Sequence, residues 1–366
     1  MRNSIGRNIT LTLFGESHGD AVGAVLDGMP AGIEVSDTFI AEQLSKRRPS
    51  GAIETARVEN DDFKILSGVF NGHTTGAPIC ILIPNNNTRS ADYEKNCGIA
   101  RPSHADYTAH IKYDGFEDYR GGGHFSGRIT AGIVAAGAIA VKTLEKHNIK
   151  IGTHILSCGG VSDTDLLQQG AIFISDSIDS LNKKQFPVIS DISDNISAEI
   201  LKAKNAQDSI GGVVQTAITG LKAGVGEPWF DSLEGAIANA VFSIGGVKGV
   251  EFGAGFNFAN MKGSEANDCF CIKDGKIQTI TNNNGGINGG ISNGMPVIFN
   301  TAVKPTPSIA QPQQSVNMLT FQEQTLNLIG RHDPAIIRRI CIVISSITAI
   351  VLCDMLSLKE GTDYLK

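Results

Sequence analysis

The stretch Asp118-Tyr-Arg-Gly-Gly-Gly-His-Phe-Ser-Gly-Arg-Ile-Thr-Ala-Gly132 places three consecutive glycines between two arginines and leads into small and apolar residues. Those residues, 129–146, are predicted to form a helix. A glycine-rich loop before a helix leaves backbone N–H groups free and lets a ligand approach the main chain closely. The helix dipole and the free donors both favour negative charge, which is typical of an anion site. A tight loop before a core helix is the alternative.

Length and composition indicate a soluble globular protein of one large domain or two ordinary ones. The chain has 366 residues, and its 42 glycines are clustered, which favours tight turns and backbone-lined ligand loops over disorder. The formal charge of −6 argues against a nucleic-acid partner, because phosphate neutralisation needs a basic face. A small anionic ligand remains possible if arginines gather locally.

The seven cysteines form no Cys-x-x-Cys pair, so we expect reduced thiols in a cytoplasmic protein, with no disulfide framework and no metal site. Cys269 and Cys271 could meet a metal, but no second cysteine pair stands nearby. The first residues lack the apolar segment of a signal peptide. Residues 340–352 form the longest apolar run, and its 13 residues are too few to span a bilayer. This run predicts a buried helix and no membrane contact.

The hydrophobic pattern predicts a mixed α/β protein. Strands are predicted at residues 8–14, 22–26, 63–70, 78–84, 150–156, 213–219 and 297–303. Further helices are predicted at residues 36–47, with Ser36 as the N-cap, and at 197–205 and 231–242. Residues 162–196 form a polar stretch without a clear assignment. The Asn- and Gly-rich residues 282–294 are either a flexible linker or a loop that lines a ligand.

Polar side chains gather where these elements end. His18 lies in the turn after the first strand, where a histidine is either structural or solvated, or an acid–base group. Arg47 and Arg48 end helix 36–47, either as partners of the helix dipole or as an anion clamp. Asp333 precedes a proline and is either a helix N-cap or a functional carboxylate.

A second polar cluster follows at residues 101–113. Asp106 stands near His104 and could set the tautomer of its ring, which a proton-transfer role requires. The spacing of His104, Asp106 and His110 does not fit a helical zinc site.

Together and in this order, the motifs resemble the chorismate synthase family over nearly the whole chain. The resemblance rests on Phe14-Gly-Glu-Ser-His-Gly19, Arg47-Arg-Pro49, Ile65-Leu-Ser-Gly-Val-Phe70, Arg101-Pro-Ser-His-Ala-Asp106, Asp118-Tyr-Arg-Gly-Gly-Gly123, Asp208-Ser-Ile-Gly-Gly212, Val247-Lys-Gly-Val-Glu251, Gly289-Gly-Ile-Ser-Asn-Gly294, Lys304-Pro-Thr306 and Gly330-Arg-His-Asp-Pro334. Each motif is weak alone, but their order and spacing make the resemblance specific.

The family converts 5-enolpyruvylshikimate 3-phosphate to chorismate by 1,4-anti elimination of phosphate, using reduced FMN without net redox change. The resemblance implies an α+β fold, a β-α-β sandwich with two pseudo-related halves, and one catalytic domain over residues 1–366. It also implies a homotetramer, NADPH as an indirect reductant and a separate flavin reductase as a partner. A true FMN/NADPH oxidoreductase and a non-catalytic binder of a phosphorylated metabolite are the alternatives.

The resemblance also implies roles for individual residues. His18 matches the acid that protonates the departing phosphate, His104 the histidine near the reduced flavin, and Asp333 the aspartate beside flavin N5 that relays the C6 proton. The implied FMN contacts are His124, Phe125, Ser126, Gly245, Gly246, Gly289, Lys304, Pro305, Thr306, Pro307, Ser308 and Arg331. The implied substrate or NADP contacts are Ser17, Arg47, Arg48, Arg57, Arg101, Arg128 and Arg338, with Arg47 matching the position linked to NADPH.

The chain departs from the commoner family pattern directly after the three glycines. The sequence Arg-Ser-Ser-Ala-Arg-Glu-Thr is replaced by His124-Phe-Ser-Gly-Arg-Ile-Thr130. We interpret this as a subtype in which the backbone and His124 contact FMN. The chain also lacks an arginine that many members have near position 53. Ala335 stands where the family usually has cysteine, so we expect no thiol chemistry.

Overall fold

Two five-stranded antiparallel sheets enclose a layer of helices in the computed structural model, which describes residues 2–51, 53–55, 60–86, 97–273, 275–328 and 333–366. Across the first sheet the strands are Ser4–Ile5, Thr10–Gly15, Ala21–Asp27, Ile79–Pro84 and Lys64–Ser67. Across the second sheet they are Val247–Phe252, Val297–Val303, Gly212–Thr219, Lys150–Cys158 and Val161–Ser162.

Helices and short ribbons complete the described part of the chain. The helices are Asp37–Lys46, Asp106–Lys112, Thr130–Lys146, Ala171–Leu181, Ser193–Asn205, Leu233–Phe242, Gly263–Ala266 and Ile337–Glu360. The two-stranded ribbons pair Val69–Phe70 with His73–Thr74, Phe270–Lys273 with Lys276–Thr279, Ile287–Asn288 with Ile291–Ser292, and Gln313–Asn317 with Gln322–Leu326.

Two long apolar helices form the middle of the molecule. Helix Thr130–Lys146, the central helix, packs on the first sheet, and helix Ile337–Glu360, the C-terminal helix, packs on the second. The two helices also pack on each other, so each half consists of one sheet and one helix. Helices that are apolar on most sides require burial, and this arrangement provides it. The predicted β-α-β sandwich with two related halves is confirmed.

Close packing between the two helices depends on a residue without a side chain. A Cβ added at Gly137 of the central helix would lie 2.4 Å from the Cβ of Ser346 in the C-terminal helix. Real side chains do not approach so closely, so this contact requires glycine.

The start of the chain is tied to the C-terminal helix by one buried carboxylate. Asp354 accepts backbone N–H groups of Arg7, Asn8 and Ile9 at 3.0, 2.8 and 2.9 Å. A carboxylate with several charge-assisted hydrogen bonds is well satisfied in the interior. This contact fixes the segment that leads into the first sheet.

Most predicted elements agree with the structure, but two predictions are wrong and one unassigned stretch contains a helix. Residues 63–70 are not one strand, because Gly68 has φ of 84° and separates Lys64–Ser67 from the ribbon strand Val69–Phe70. Residues 162–196 contain helix Ala171–Leu181, whose buried Ile174, Ile178 and Leu181 follow a helical spacing. The helix predicted to begin at residue 197 begins at Ser193.

Three further helices differ in how well the sequence predicted them. Ser36 is confirmed as the N-cap of helix Asp37–Lys46, since its side chain accepts the N–H of Phe39 at 3.2 Å. Helix 231–242 begins two residues later than predicted, at Leu233 after the N-cap Ser232. Helix Asp106–Lys112 was not anticipated by the sequence pattern.

Two described helices are long and apolar enough to cross a membrane by length and composition, Gly127–Lys146 and Ile337–Glu360. The C-terminal helix has 24 residues, whereas the apolar run in the sequence has 13. The prediction that this segment is too short to span a bilayer is therefore wrong. Within their most apolar windows, however, 78% and 94% of the residues are buried inside the molecule. They are the core helices of the sandwich.

Replacing Gly137 by alanine tests the helix–helix contact. We expect Gly137→Ala to lower the free energy of unfolding by about 1–3 kcal/mol, because the new methyl overpacks the contact with Ser346. Denaturant unfolding measures this value. Gly263→Ala is the control, because Gly263 has open space around its Cβ position and should change stability by no more than about 0.5 kcal/mol. Equal stability of Gly137→Ala and the unmodified protein would contradict the account.

Candidate active site

The turn after strand Thr10–Gly15 is held against the triple-glycine segment, residues 121–123. The N–H of Ser17 donates to the carbonyl of Gly123 at 3.0 Å. His124 Nδ1–H donates to the carbonyl of Gly15 at 2.8 Å. These two bonds join the predicted His18 turn to the predicted anion loop, so the two motifs form one structure.

The triple-glycine segment places two histidines against neighbouring positions of one backbone. Gly121, Gly122 and Gly123 have φ angles of 60°, 83° and 51°, a region that residues with side chains rarely adopt. A Cβ at Gly121 would lie 2.2 Å from His18 Cε1, and one at Gly122 would lie 3.2 Å from His104 Cε1. Both histidines line the same cavity. Glycine is therefore needed both for the backbone conformation and for the space that the rings occupy.

The residues that follow the glycines build the start of the central helix. Ser126 accepts the N–H of Arg128 at 3.3 Å and caps the short turn Gly127–Ile129. Phe125, Ser126 and Gly127 line the cavity, whereas the ring of His124 is directed to Gly15. The predicted anion loop thus meets the cavity through its main chain and through Phe125.

The second polar cluster forms a hydrogen-bonded group beside Gly122 in the cavity wall. Asp106 accepts from Arg101 Nε at 2.8 Å and Nη2 at 2.7 Å, and from His104 Nδ1 at 2.6 Å. Burial alone would raise the pKa of Asp106, but the hydrogen bonds from His104 and Arg101 outweigh it and hold that pKa well below its ordinary value. Asp106 is therefore a carboxylate at neutral pH.

A buried carboxylate anchors two of the predicted clamp arginines. Asp61 accepts from Arg47 Nη1 at 2.8 Å and also pairs with Arg128 Nη1. Arg128 Nε donates to Asn85 Oδ1 at 2.8 Å, so most of its guanidinium is held by the protein. Both arginines line the cavity, and one negative charge offsets only one of their two positive charges. Asp61 is a site residue that the sequence reasoning missed.

The predicted clamp residue Arg338 faces away from the cavity. Its guanidinium donates to Glu54 at 2.8 and 2.6 Å and to the carbonyls of Lys46, Gln185 and Arg48. Successive residues of a helix point about 100° apart, so Arg338 and its neighbour cannot face the same way.

Arg339 lines the cavity in its place, paired with Asp333. Burial lowers the pKa of Arg339 to about 10 against the opposing effect of Glu54, so Arg339 stays charged at neutral pH. The two consecutive arginines, 338 and 339, indicated an arginine at the site, but the sequence does not say which of them faces the cavity.

Asp333 is not a helix N-cap, because the C-terminal helix begins after Ile336. Its carboxylate pairs with Arg339 instead, and the residue lines the cavity. Its Oδ1 is buried without a hydrogen-bond partner among the described residues. The N-cap alternative is therefore wrong, and the orphaned oxygen needs a partner that a bound ligand can supply.

The second half of the chain contributes the remaining cavity wall. Gly245, Thr306, Pro307 and Ser308 line the cavity, and Thr306 donates to the carbonyl of Asp333. This bond joins two of the predicted cofactor segments.

Other predicted cofactor residues lie behind or beyond this wall. Lys304 Nζ donates to the carbonyl of Ser103 at 2.5 Å, and its backbone N–H donates to Gly246 at 2.9 Å. Pro305 also lies outside the cavity lining, packed near Gly211. Burial and the charge of Lys248 lower the pKa of Lys304.

The predicted FMN contact Gly289 lies in the turn of ribbon Ile287–Asn288 and Ile291–Ser292, near the start of helix Leu233–Phe242. Asp268 accepts the backbone N–H groups of Asn283 and Asn284 at 2.7 and 2.8 Å. Residues 282–294 are thus a bonded turn and ribbon, and they lie outside the cavity lining of the described chain.

The cavity has a volume of about 460 Å³, in the range of small-molecule sites. Its apolar wall consists of Ile99, Phe125, Ile244, Met318, Leu328, Ile336, Ile340 and Val343. Its cationic side consists of Arg47, Arg48, Arg101, Arg128 and Arg339, beside His18 and His104. Ser17 is buried beneath His18. The predicted contacts Arg57 and Arg331 lie outside the described residues. Within the described ranges, no histidine, cysteine and carboxylate side chains form a group that could hold a metal ion.

A cavity with two histidines, an orphaned carboxylate oxygen, converging arginines and an apolar wall can bind an anionic small molecule and move protons on it. The class defined by fold and site is an α+β sandwich enzyme that acts on an anionic metabolite.

Comparison with known proteins identifies the family. The sequence profile described as chorismate synthase matches residues 9–357. A chorismate synthase of Dehalococcoides mccartyi is 46% identical over 362 residues, which cover 99% of this chain and 98% of that protein. One from Thermococcus kodakarensis is 43% identical over 355 residues, 96% of each chain. A chorismate synthase crystal structure aligns with a TM-score of 0.76 at 28% identity, covering 99% of this chain and 97% of that one.

The chain belongs to the chorismate synthase family, as the motifs predicted. It is a carbon–oxygen lyase of the shikimate pathway that forms chorismate from 5-enolpyruvylshikimate 3-phosphate by eliminating phosphate. Membership of the family implies a requirement for reduced flavin.

Replacing Gly121 by alanine tests the role of the triple-glycine segment. We expect Gly121→Ala to lower kcat at least about 10-fold, because its methyl would displace His18 from the cavity wall. Phosphate release under anaerobic conditions with reduced flavin measures this loss.

Gly160→Ala is the matched control, since Gly160 also has a positive φ, 84°, but open space at its Cβ position. Both variants bear the left-handed backbone cost of about 1–2 kcal/mol, and only one displaces a histidine. Equal loss of activity in both variants would contradict the assignment.

Proposed function

We propose that the cavity binds 5-enolpyruvylshikimate 3-phosphate with its phosphate beside His18 and reduced FMN against the apolar wall. The observation that carries this proposal is the pair of histidines held by the triple-glycine segment on a cavity lined with arginines. The substrate carries a phosphate and two carboxylates, which explains local arginines in a protein whose net charge is −6.

Substrate binding is assigned to the arginines that face the cavity. Arg47, Arg48, Arg101 and Arg339 present charge for the phosphate and carboxylates, with Arg339 taking the place first given to Arg338. Arg128 is held by Asp61, Asn85 and a carbonyl. It therefore contributes to substrate binding mainly through the electrostatic field of its fixed positive charge. Ser17, beneath His18, supports the phosphate end of the site, and Arg57 is assigned to the clamp from the motif alone.

Two side chains carry the protons of the elimination. His18 gives a proton to the oxygen of the departing phosphate as the C–O bond breaks. The carboxylate of Asp333 relays the proton that leaves C6. Its Oδ1 is buried without a hydrogen-bond partner among the described residues, while the residue itself lines the cavity. The electron pair of the broken C6–H bond remains in the ring and replaces the pair that leaves with the phosphate, so the elimination has no net redox change.

The residues present fit a flavin. The cavity offers an apolar wall for a planar ring, the cationic Arg339 for a reduced anionic ring, and an orphaned acceptor on Asp333. Phe125, Ser126, Gly245, Thr306, Pro307 and Ser308 would hold it, and His104 would manage a proton on it. When bound, reduced FMN supplies electron density transiently to the breaking C–O bond and recovers it as the C6–H bond is lost. The motif assigns Arg331, Gly246, Gly289, Lys304 and Pro305 to the same cofactor, at or behind the cavity wall.

The family resemblance supports the remaining parts of the proposal. Residues 1–366 act as one catalytic domain in a cytoplasmic homotetramer. Reduced FMN comes from a separate flavin reductase, with NADPH as the indirect reductant and Arg47 as the position linked to it. The sequence His124-Phe-Ser-Gly127 marks a subtype in which the main chain takes over the contact of the usual arginine.

An anaerobic assay with reduced FMN and 5-enolpyruvylshikimate 3-phosphate tests the lyase. We expect phosphate release over many turnovers with no stoichiometric flavin oxidation, because the electrons return to the cofactor in each cycle. Phosphate is measured chemically and flavin oxidation by its absorbance. Oxidation of one flavin per phosphate would support an FMN/NADPH oxidoreductase and overturn the proposal.

Removing the proposed acid tests the role of His18. We expect His18→Ala to lower kcat about 10²-fold or more while substrate binding, measured by calorimetry, is retained. His73→Ala is the control, because His73 is exposed and remote from the cavity. Unchanged turnover in His18→Ala would indicate a binder of a phosphorylated metabolite or a different acid.

A further inference from the structure

Asp106 has more hydrogen bonds than a simple ion pair requires. Its Oδ2 accepts the backbone N–H of Arg101 at 2.9 Å and Arg101 Nε at 2.8 Å. Its Oδ1 accepts Arg101 Nη2 at 2.7 Å and lies 2.6 Å from His104 Nδ1. Both oxygens are therefore occupied, and the carboxylate has one fixed orientation.

The 2.6 Å contact decides which ring nitrogen of His104 carries a proton. A carboxylate oxygen and a bare imidazole nitrogen repel each other, so this distance requires Nδ1–H as the donor. Arg101 Nη2 also lies 3.1 Å from Nδ1, but a protonated Nδ1 has no lone pair for it, and Asp106 receives that donor instead. Nε2 belongs to the ring edge that lies against Gly122 in the cavity wall.

The loop that carries this group is held from several sides. Ser103 has φ of 58°, an uncommon conformation for a residue with a side chain, and its carbonyl accepts Lys304 Nζ at 2.5 Å. Ala100 N–H donates to Val316 of the ribbon Gln313–Asn317 at 3.1 Å, and His104 N–H donates to Arg101 at 3.1 Å. The backbone that carries His104 is therefore held in place, and the ring itself lies between Asp106 and Gly122.

Arg101 offsets the charge of Asp106, so the pair orients His104 without adding a net charge beside it. A single carboxylate is thus shared between a cationic clamp residue and a proton-handling ring. This sharing couples the position of a substrate-binding arginine to the tautomer of His104.

We propose that Asp106 is a positioning residue that locks His104 in the Nδ1–H tautomer, so that only Nε2 exchanges a proton with the bound ligand. This inference rests on the proposed role of His104 at the flavin, but the tautomer itself is a property of the ligand-free protein.

The first test is ¹⁵N NMR of the histidine side chains in the ligand-free protein at neutral pH. In the unmodified protein we expect the neutral ring of His104, assigned through His104→Gln, to be protonated at Nδ1. In Asp106→Asn, we expect part or all of the population to shift to protonated Nε2, because the new side-chain amide can turn its NH2 toward Nδ1 and donate to its lone pair. An Nε2–H ring in the unmodified protein overturns the proposal, whether or not the variant folds.

The second test is the kinetic consequence. We expect Asp106→Asn to lower kcat about 10²- to 10⁴-fold with a smaller change in KM, the pattern of a wrong tautomer in an intact site. Asp106→Glu keeps a carboxylate and should recover at least about 10-fold of that loss. A tautomer that shifts without any loss of kcat, or a full loss of kcat with Nδ1–H retained, overturns the role.

Asp163→Asn is the matched control. Asp163 pairs with His154 of the second sheet at 3.2 Å and accepts the backbone N–H groups of Thr164, Ile189 and Ser190. It lies outside the cavity lining, so its variant reports the loss of a buried histidine–carboxylate pair away from the site. Its kcat per folded molecule should stay within about 2-fold of the unmodified protein. If the unmodified protein has no lyase activity, the proposed function fails while the NMR result still decides the tautomer.

Discussion

The left-handed backbone of residues 121–123 is the constraint on which the site depends. The Ser17 turn is bonded to it on one side, and His18 and His104 pack on adjacent glycines. Two histidines can face one small ligand only if nothing bulky stands between them and it. A backbone without side chains meets that requirement, and it is stable here because the hydrogen bonds from Ser17 and His124 fix it.

The electrostatics of the site follow from pairing four of the five cavity arginines with buried or partly buried acids. Asp61 holds Arg47 and Arg128, Asp106 holds Arg101, and Asp333 pairs with Arg339. Removing one partner from a buried pair leaves an uncompensated charge at a cost of about 3–5 kcal/mol, so these acids keep the arginines in place. Asp61 is shared by two arginines, and Arg48 lines the cavity as a further cation, while Glu117 and Asp118 add carboxylates to the same lining. The arginines are thus gathered locally in a protein that is acidic overall.

Sequence reasoning predicted what is local and missed what depends on packing. The motifs around His18, His104 and residues 118–132 could each be recognised in the sequence, because histidines gather there with glycine or arginine at the ends of predicted strands and helices. Their proximity could not be predicted, since the hydrogen bond between Ser17 and Gly123 joins the end of a strand in the first sheet to the segment before the central helix. Arg338 and Arg339 are chemically identical in sequence, and only the rotation of the C-terminal helix decides which one faces the cavity. Helix Ala171–Leu181 was missed because its apolar residues stand among serines and aspartates, and its buried Ile174 and Ile178 pack on the second sheet in a small separate cluster.

The central claim is that one cavity, built on the triple-glycine segment, holds both the substrate phosphate and the flavin. A crystal structure with 5-enolpyruvylshikimate 3-phosphate and FMN bound tests it most directly. The account predicts the phosphate within hydrogen-bond distance of His18, and the flavin between His104 and Asp333, with Arg339 directed at the ligands. A phosphate bound away from His18, or a flavin outside the cavity lined by Gly122 and Phe125, would contradict it.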